Sequence, residues 1–482
     1  MAVKTLLINP PFNIAKENYD SSISVGLLSI ASYLDGLGVL VEIIDGARQK
    51  DYLERIKKSI MDCKYVGLSV MTTQIANALD ISKIIKEMNP HCQVVWGGSH
   101  PTFFIDQTIN HPLVDIVCFG EGEMTFYELV SGRELSQING IVYKKEGEII
   151  KNPPRELHDP KSTKLFNWDL VSMEILNKLA LIPSLTSRGC PYRCTFCINA
   201  IAKNRWRART ADQVLEDLAI IKSKDYFSGK SLRFWDENFF VDMSRAKSIV
   251  SGMIEKNLII SWETTVRADY VREGMIDDDF MSQLKKSGCY LLSFGAESGS
   301  PIILKKIKKD ISPDQIVNSA RMCLKYGIIP QYSFMIGLPG ETKIDMLLTL
   351  KVIDRLVKLS DKVQILGPQA FRPYPGSELY QECLASGWQA PQSLDEWANL
   401  VQNELSYLTV QNFPWVKYKD FVESMEAYVR FGAMSLKSAM GSSVKAQRFL
   451  KLIFVLVCEF RWKLKFFYFP FEYKLAKKFV IK

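Results

Sequence analysis

Long hydrophobic runs are missing from this 482-residue sequence; the longest strongly apolar run near the C-terminus, Leu452 to Cys458, has seven residues, against the roughly 20 that span a bilayer. No transmembrane helix is expected. The first residues, MAVKTLLINPPF, hold one lysine and a short apolar run ending in Asn9-Pro10-Pro11. They show no small-residue cleavage site, so no secretory signal is expected and the cytoplasm is the expected location. A GxGxxG fingerprint is absent after the first strand-like run, which argues against NAD or FAD. Disorder-prone composition is lacking, since 47% of the residues are hydrophobic and 24% charged, as in an ordinary folded protein. Histidine is scarce, with four residues at 91, 100, 111 and 158. Strong charge of one sign is absent from the body of the chain: 61 Lys plus Arg against 53 Asp plus Glu leave +8, nearly all of it near the C-terminus. A disulfide framework is not expected in a cytosolic chain of this length, and seven of the ten cysteines (63, 92, 118, 289, 323, 383 and 458) are scattered among apolar residues.

The length exceeds one compact core and excludes a single small binding module. From residue 5 onward, apolar runs at 5–9, 41–45, 66–70, 93–98 and 115–120 alternate with amphipathic segments such as 24–37, 51–61 and 74–88. That alternation implies βαβ units, so 1–135 reads as a Rossmann-like, doubly wound α/β domain with a parallel sheet. Residues 138–154 read as a hairpin turning at Glu146-Gly147, followed by a proline-marked linker, which together give a connector over 136–180. A second series of strand-like runs, at 183–190, 232–240, 259–270, 290–298, 328–341 and 362–376, alternates with amphipathic segments. Six βα units in about 200 residues suit a partial (βα)6 barrel over 181–395. Strand signals then stop, and 396–482 reads as a helical C-terminal region with a basic, aromatic tail.

Cys190-Pro-Tyr-Arg-Cys194-Thr-Phe-Cys197 follows the first run of the second series, at the end where barrel active sites are built. Thiolates spaced CxxxCxxC can bind three irons of a [4Fe–4S] cluster from one loop and leave the fourth iron open. The competing reading is zinc or three packed cysteines; zinc needs a fourth Cys or His at matching spacing, and the nearest histidine is His158. With Phe196 just before the last cysteine, the segment resembles the signature of radical S-adenosylmethionine enzymes, and the resemblance covers about 183–380. It implies that Cys190, Cys194 and Cys197 hold the cluster, that S-adenosylmethionine chelates the open iron, and that reductive cleavage yields a 5′-deoxyadenosyl radical. By the same resemblance, Phe196, Gly295, Ala296, Glu297, Ser298, Ile336 and Gly337 are candidate S-adenosylmethionine contacts. The plainer readings are a strand-to-turn at 293–298 and a buried strand closed by a Pro-Gly turn at 333–341. Trp235-Asp236-Glu237-Asn238 and Arg267 either face the cofactor or substrate or form surface pairs.

A Rossmann-like domain ahead of such a barrel resembles the cobalamin-binding subgroup, which includes methyltransferases and ring cyclases. Candidate cobalamin contacts are Asn9, Pro10, Ser69, Thr72, Gly97, Gly98, His100 and Gly120, all near strand ends, where open α/β sheets bind ligands. No Asp-x-His-x-x-Gly segment offers an axial histidine. The alternative is a domain that docks the barrel and binds nothing. Segment 447–482 carries nine Lys or Arg against two Glu, interleaved with aromatics; it either lies in a membrane interface or caps the barrel. Nucleic acid is not an expected partner. The function the resemblance implies is methylation of an unactivated carbon by way of methylcobalamin and the 5′-deoxyadenosyl radical. Oxidative cyclisation or rearrangement with the same cofactors, or a non-enzymatic cobalamin or iron–sulfur sensor, are the alternatives. Expected partners are a small-molecule substrate of hydrophobic character and a reducing donor such as flavodoxin or ferredoxin.

Overall fold

The computed structural model describes residues 5–12, 23–162, 166–201, 205–402, 410–432, 445–468 and 471–473. Its first sheet has seven strands in the order β2-β1-β3-β4-β5-β6-β7: β1 Thr5–Asn9, β2 Val41–Asp45, β3 Tyr65–Ser69, β4 Gln93–Gly97, β5 Ile116–Cys118, β6 Ile141–Lys145 and β7 Glu148–Lys151. Strands β1 to β5 are parallel. The order 2-1-3-4-5 puts a topological switch between β1 and β3, where ligands bind in open α/β sheets. Alternate residues face opposite sides. Leu7 and Val95 join one core with the Val25–Asp35 and Glu123–Val130 helices, while Leu6, Ile8, Val94 and Trp96 join another with Ile75–Met88.

The 138–154 hairpin does turn at Glu146-Gly147, both with positive φ (52° and 85°), as the tight hairpin turn demands. It is not a detached connector, however. β6 pairs antiparallel with β5 through Ile116↔Tyr143, Val117↔Val142 and Cys118↔Ile141. Three consecutive buried residues, Ile141 to Tyr143, have both faces covered, which a freely exposed hairpin could not offer.

The second sheet is a single parallel array in the order β15-β14-β13-β12-β11-β8: β8 Leu181–Ser184, β11 Ser231–Phe234, β12 Trp262–Val266, β13 Cys289–Glu297, β14 Ile329–Ile336 and β15 Gln364–Ala370. No β8–β15 pairing closes it, so it is the partial six-unit barrel expected from the alternation. A small ribbon, β9 Ser187–Arg188 with β10 Arg207–Ala208, stands at its entrance. Capping boxes at Thr210, Ser312 and Thr342 start three of the barrel helices. Among the described residues no strand follows β15. Helix Leu394–Gln402 returns to the first sheet and buries Trp397 against its second core. Helix Lys419–Gly432 covers β15, and helix Lys445–Lys463 packs on Lys419–Gly432. No helix among the described residues is long and apolar enough to cross a membrane.

Candidate active site

The three clustered cysteines lie on a loop that leaves β9 at the C-terminal mouth of the barrel. The loop is fixed by backbone: Gly189 N–H donates to Glu237 Oε2 (3.1 Å), Thr195 N–H to the Ile307 carbonyl (3.1 Å), and Leu379 N–H to the Thr195 carbonyl (3.2 Å). Cys194 is buried and Cys190 and Cys197 are half-buried. Burial raises all three thiols; at Cys194 the Lys309 ammonium and Arg267 guanidinium oppose it. Among the described residues no three His, Cys, Asp or Glu side chains converge to hold a single metal ion. Zinc gathers its thiolates around one ion, whereas a cubane takes three thiolates at three irons. Three thiolates on one loop are the donor set a cluster with one open iron takes, while a structural zinc site takes a fourth ligand.

Two cations stand beside this loop: Arg267, already singled out at the end of its strand, and Lys309, which no motif revealed. Lys309 Nζ lies 3.1 Å from Glu297 Oε1 and 5.9 Å from the Phe196 ring centre. Arg267 stacks on Tyr192 at 3.7 Å, donates to Asp269 (2.9 Å), and donates to the Lys309 carbonyl (2.5 Å). Glu297 ends β13 in the left-handed region (φ 63°), where the register with β14 shifts. A Cβ on Gly295 would overlap the Glu297 carboxylate and approach Lys309 Nζ to 2.8 Å, so any side chain there would push this ion pair aside. The structure thus brings Cys194, Phe196, Gly295 and Glu297 around one cation.

Ser298 and Gly337 serve the turns instead. Ser298 is fully buried, with its hydroxyl 3.1 Å from that of Thr349. Gly337 has φ 74°, donates its N–H to Glu341 and accepts from Trp415 Nε1 (3.0 Å). Ala296 and Ile336 are fully buried at the ends of β13 and β14. Asp236 accepts from Thr186 N–H and from the hydroxyls of Thr186 and Ser187, so it locks the β8–β9 bend.

A cavity of about 220 Å³ opens at the switch point of the first sheet. Leu7, Leu27, Val95 and Phe126 give it apolar walls, and Ser69, Gly97, Gly98 and Gly120 line its strand-end side. At Gly98, φ is 98° and a Cβ would come 2.8 Å from Val70 N. At Gly26 and Gly120 a Cβ would meet no protein atom within 4 Å. The glycines leave room that a flat apolar group could fill, as the nucleotide tail of cobalamin would require.

Four expected contacts lie off this wall. Asn9 donates to Asp45 Oδ1 (2.9 Å) and accepts from Gln74 (2.9 Å), and the Pro10 carbonyl also accepts from Gln74 (2.6 Å). Thr72 is paired with His100 Nδ1 (3.1 Å). His100 packs against Phe104 and Trp397, where burial lowers its pKa to about 3. The cavity lining contains no histidine.

A sequence profile of the B12 binding domain matches residues 17–130, and one of the Radical SAM superfamily matches 184–353. An uncharacterised methyltransferase of Pyrococcus horikoshii is 31% identical over 453 residues, covering 89% of this chain and 92% of that protein. This chain belongs to the cobalamin-dependent radical S-adenosylmethionine enzymes. The anaerobic magnesium-protoporphyrin IX monomethyl ester cyclase of Rubrivivax gelatinosus is 25% identical over 372 residues, 73% of this chain and 65% of that one. The methyltransferase TsrM of Kitasatospora setae, solved with cobalamin and a [4Fe–4S] cluster, shares the fold with TM-score 0.66 at 18% identity, covering 84% of this chain and 85% of that one.

In this radical S-adenosylmethionine enzyme the two regions meet at Arg188, two residues before Cys190. Arg188 lines the cavity, pairs with Glu123 and lies 3.4 Å from Glu121. It also donates to the Ser29 hydroxyl (2.9 Å), which donates to Glu123 (2.7 Å). Arg207 on β10 grips both carboxylate oxygens of Glu121, Oε1 at 2.8 Å and Oε2 at 2.9 Å. Burial opposes ionisation at Glu123, but Arg188 and Ser29 outweigh it and bring the carboxyl down to about 2. An arginine before the first cysteine was the only sequence signal of this joint.

Proposed function

We propose that this enzyme transfers a methyl group to an unactivated carbon of a small, apolar substrate. The observation that carries the reading is the adjacency of the glycine-lined cavity and the cysteine loop, joined through Arg188. In this reading Cys190, Cys194 and Cys197 hold the cluster, while Phe196, Gly295, Ala296, Glu297 and Ile336 border S-adenosylmethionine. Ser298 and Gly337 shape the turns behind it, and Ser69, Gly97, Gly98 and Gly120 admit the cobalamin tail. When bound, these groups supply a carbon radical that takes hydrogen from substrate and a methyl group carried on cobalt. Lys309 and Arg267 offset the negative charge gathered at the loop, and Glu297 is aimed by its strained backbone and by Lys309. The domain limits we propose are 1–135 for cobalamin, 136–180 for the hairpin and linker, of which β6 and β7 extend the first sheet, 181–395 for the barrel and 396–482 for the helical region. A flavodoxin- or ferredoxin-class donor supplies electrons. The setting is the cytoplasm, with peripheral membrane contact through the basic tail.

The test is anaerobic reconstitution with iron, sulfide and hydroxocobalamin, removal of unbound ligand, and quantification of iron and cobalt on one sample. Reductant and S-adenosylmethionine are then added. Retained cobalt, release of 5′-deoxyadenosine, and a product heavier by one CH2 are expected. A product of unchanged carbon count would replace methyl transfer by cyclisation or rearrangement, and loss of all cobalt would remove the main support for the reading.

A further inference from the structure

Helix Lys445–Lys463 is apolar on two opposite sides. Phe454, Val455, Cys458 and Trp462 are buried, on the side that packs against Lys419–Gly432 and sends Trp462 Nε1 to Asp354 (3.0 Å). At about 100° per residue, Ile453, Leu456, Phe460 and Leu464 fall together on the side facing away. All four are exposed, Phe460 to 64% and Leu464 to 60%. Past the helix end, Phe466, Tyr468 and Phe471 continue the patch, Phe471 at 70% exposure. On the neighbouring helix Lys343–Val357, Ile344 and Leu347 are exposed as well. Lys343 links the two elements, its ammonium 3.2 Å from the Tyr468 hydroxyl and 4.9 Å from that ring. So many exposed large apolar side chains on linked elements are what a contact with a membrane or another macromolecule would cover.

Charge selects between these. Residues 445–473 carry six Lys or Arg against two Glu. Glu459 pairs with Lys463 (2.6 Å), Glu472 with Arg461 (2.6 Å) and Asp354 of the neighbouring helix with Lys465 (2.5 Å), so the excess that remains is carried by Lys445, Arg448 and Lys451 in the sequence, with Lys343 beside Tyr468. A second copy of the chain would bring this positive excess against itself. An anionic bilayer complements it, because apolar side chains enter the headgroup–acyl boundary while cations meet lipid phosphate.

We infer that the outer face of helix Lys445–Lys463, led by Phe460 and Leu464, docks this enzyme peripherally on anionic membrane surfaces. The docking deepens the peripheral contact proposed above and is independent of the methyl-transfer reading, since it is measured without turnover. The helix lies on the surface and does not span it.

The experiment is co-sedimentation of the full-length protein with sucrose-loaded vesicles, either an equimolar mixture of phosphatidylglycerol and phosphatidylcholine or phosphatidylcholine alone. Strong binding to the anionic vesicles, weak binding to the neutral ones and release by high salt are expected. Phe460→Glu with Leu464→Glu should lower the anionic partition about tenfold or more, with circular dichroism and iron loading unchanged. If the charged pair does not fold, Phe460→Ser with Leu464→Ser takes its place. No anionic binding by the unaltered protein would overturn the inference, as would equal binding by the folded variant. A concentration-dependent dimer that the same substitutions dissociate, without effect on vesicle binding, would assign the face to a second copy instead.

Discussion

Arg188 reaches from the β9–β10 ribbon into the first domain and forms a buried ion pair with Glu123, on the wall of the glycine-lined cavity. A buried pair is worth little against an apolar replacement, but removing one partner strands the other charge at a cost of about 3–5 kcal/mol. Arg188→Gln should therefore destabilise the apo-protein by that order in urea unfolding and reduce retained cobalt. Adding Glu123→Gln should recover part of the stability, because the stranded charge is gone. A double variant no more stable than the single one would show that Arg188 acts through packing alone. The pH dependence follows from the same pair. The Glu123 carboxyl ordinarily titrates at 4.5 and is held at about 2 when folded, so its contribution is complete above 4.5 and lost as pH falls from there through 2. In Glu123→Gln that part of the acid limb should be flattened.

Gly26 separates ligand binding from folding. It sits in the first turn of helix Val25–Asp35 and lines the cavity, where a Cβ would meet no protein atom within 4 Å. Leucine is a better helix former than glycine by up to about 1 kcal/mol, so Gly26→Leu should fold at least as stably as the parent. Its side chain occupies cavity volume, and cobalt retained after gel filtration should fall at least tenfold while iron loading is unchanged. Full cobalt retention by the folded variant would place the cobalamin tail elsewhere.

Glu341 is predicted to make the protein less stable in mild alkali. Burial raises its carboxyl to about 8, against the pull of the Leu338 and Gly337 N–H groups on Oε2, and Oε1 has no hydrogen-bond partner. A carboxyl whose folded value lies above its ordinary 4.5 contributes most below 4.5, and that contribution is lost as pH rises through 8. Glu341→Gln can keep an oxygen facing both amides without a titrating proton. Melting temperatures should match the parent near the acid end of this window and exceed it at the alkaline end. Parallel curves across the window would rule out Glu341 as the source.

What the sequence made legible was local chemistry. Cys190, Cys194 and Cys197 are read from spacing because one loop carries all three, and the strands stand out as short apolar runs between amphipathic segments. The Glu146-Gly147 turn was equally plain, since a glycine between two short β-like runs marks a tight turn; its attachment to β5 was not, because strand partners are chosen by the whole sheet. His100 illustrates the other failure. In Gly-Gly-Ser-His-Pro-Thr it resembles a ligand on a loop, yet Trp397 from a distant helix buries it and Thr72 takes its Nδ1. Lys309 lay in a plain lysine-rich stretch, and only the fold of β13 and its following turn carries it to Glu297.

Cys194→Ala tests the cluster apart from the cobalamin pocket. Cys194 is the most buried of the three thiols, held beside the Lys308 carbonyl (3.8 Å) on a loop whose backbone bonds do not involve its sulfur. Its replacement by alanine removes one thiolate and leaves the loop anchored at Thr195, so the fold should survive with a loss of no more than about 1–2 kcal/mol. Two thiolates are too few to bind three irons of the cluster. Iron retained after reconstitution should fall severalfold, and 5′-deoxyadenosine release under reductant should drop below detection. Cobalt retention should stay near the parent level, because the cavity at β1, β3, β4 and β5 does not include this loop's cysteines. Continued cleavage of S-adenosylmethionine by the purified variant would refute the assignment of the CxxxCxxC loop, and joint loss of cobalt would mean that the two regions are loaded as one unit through Arg188.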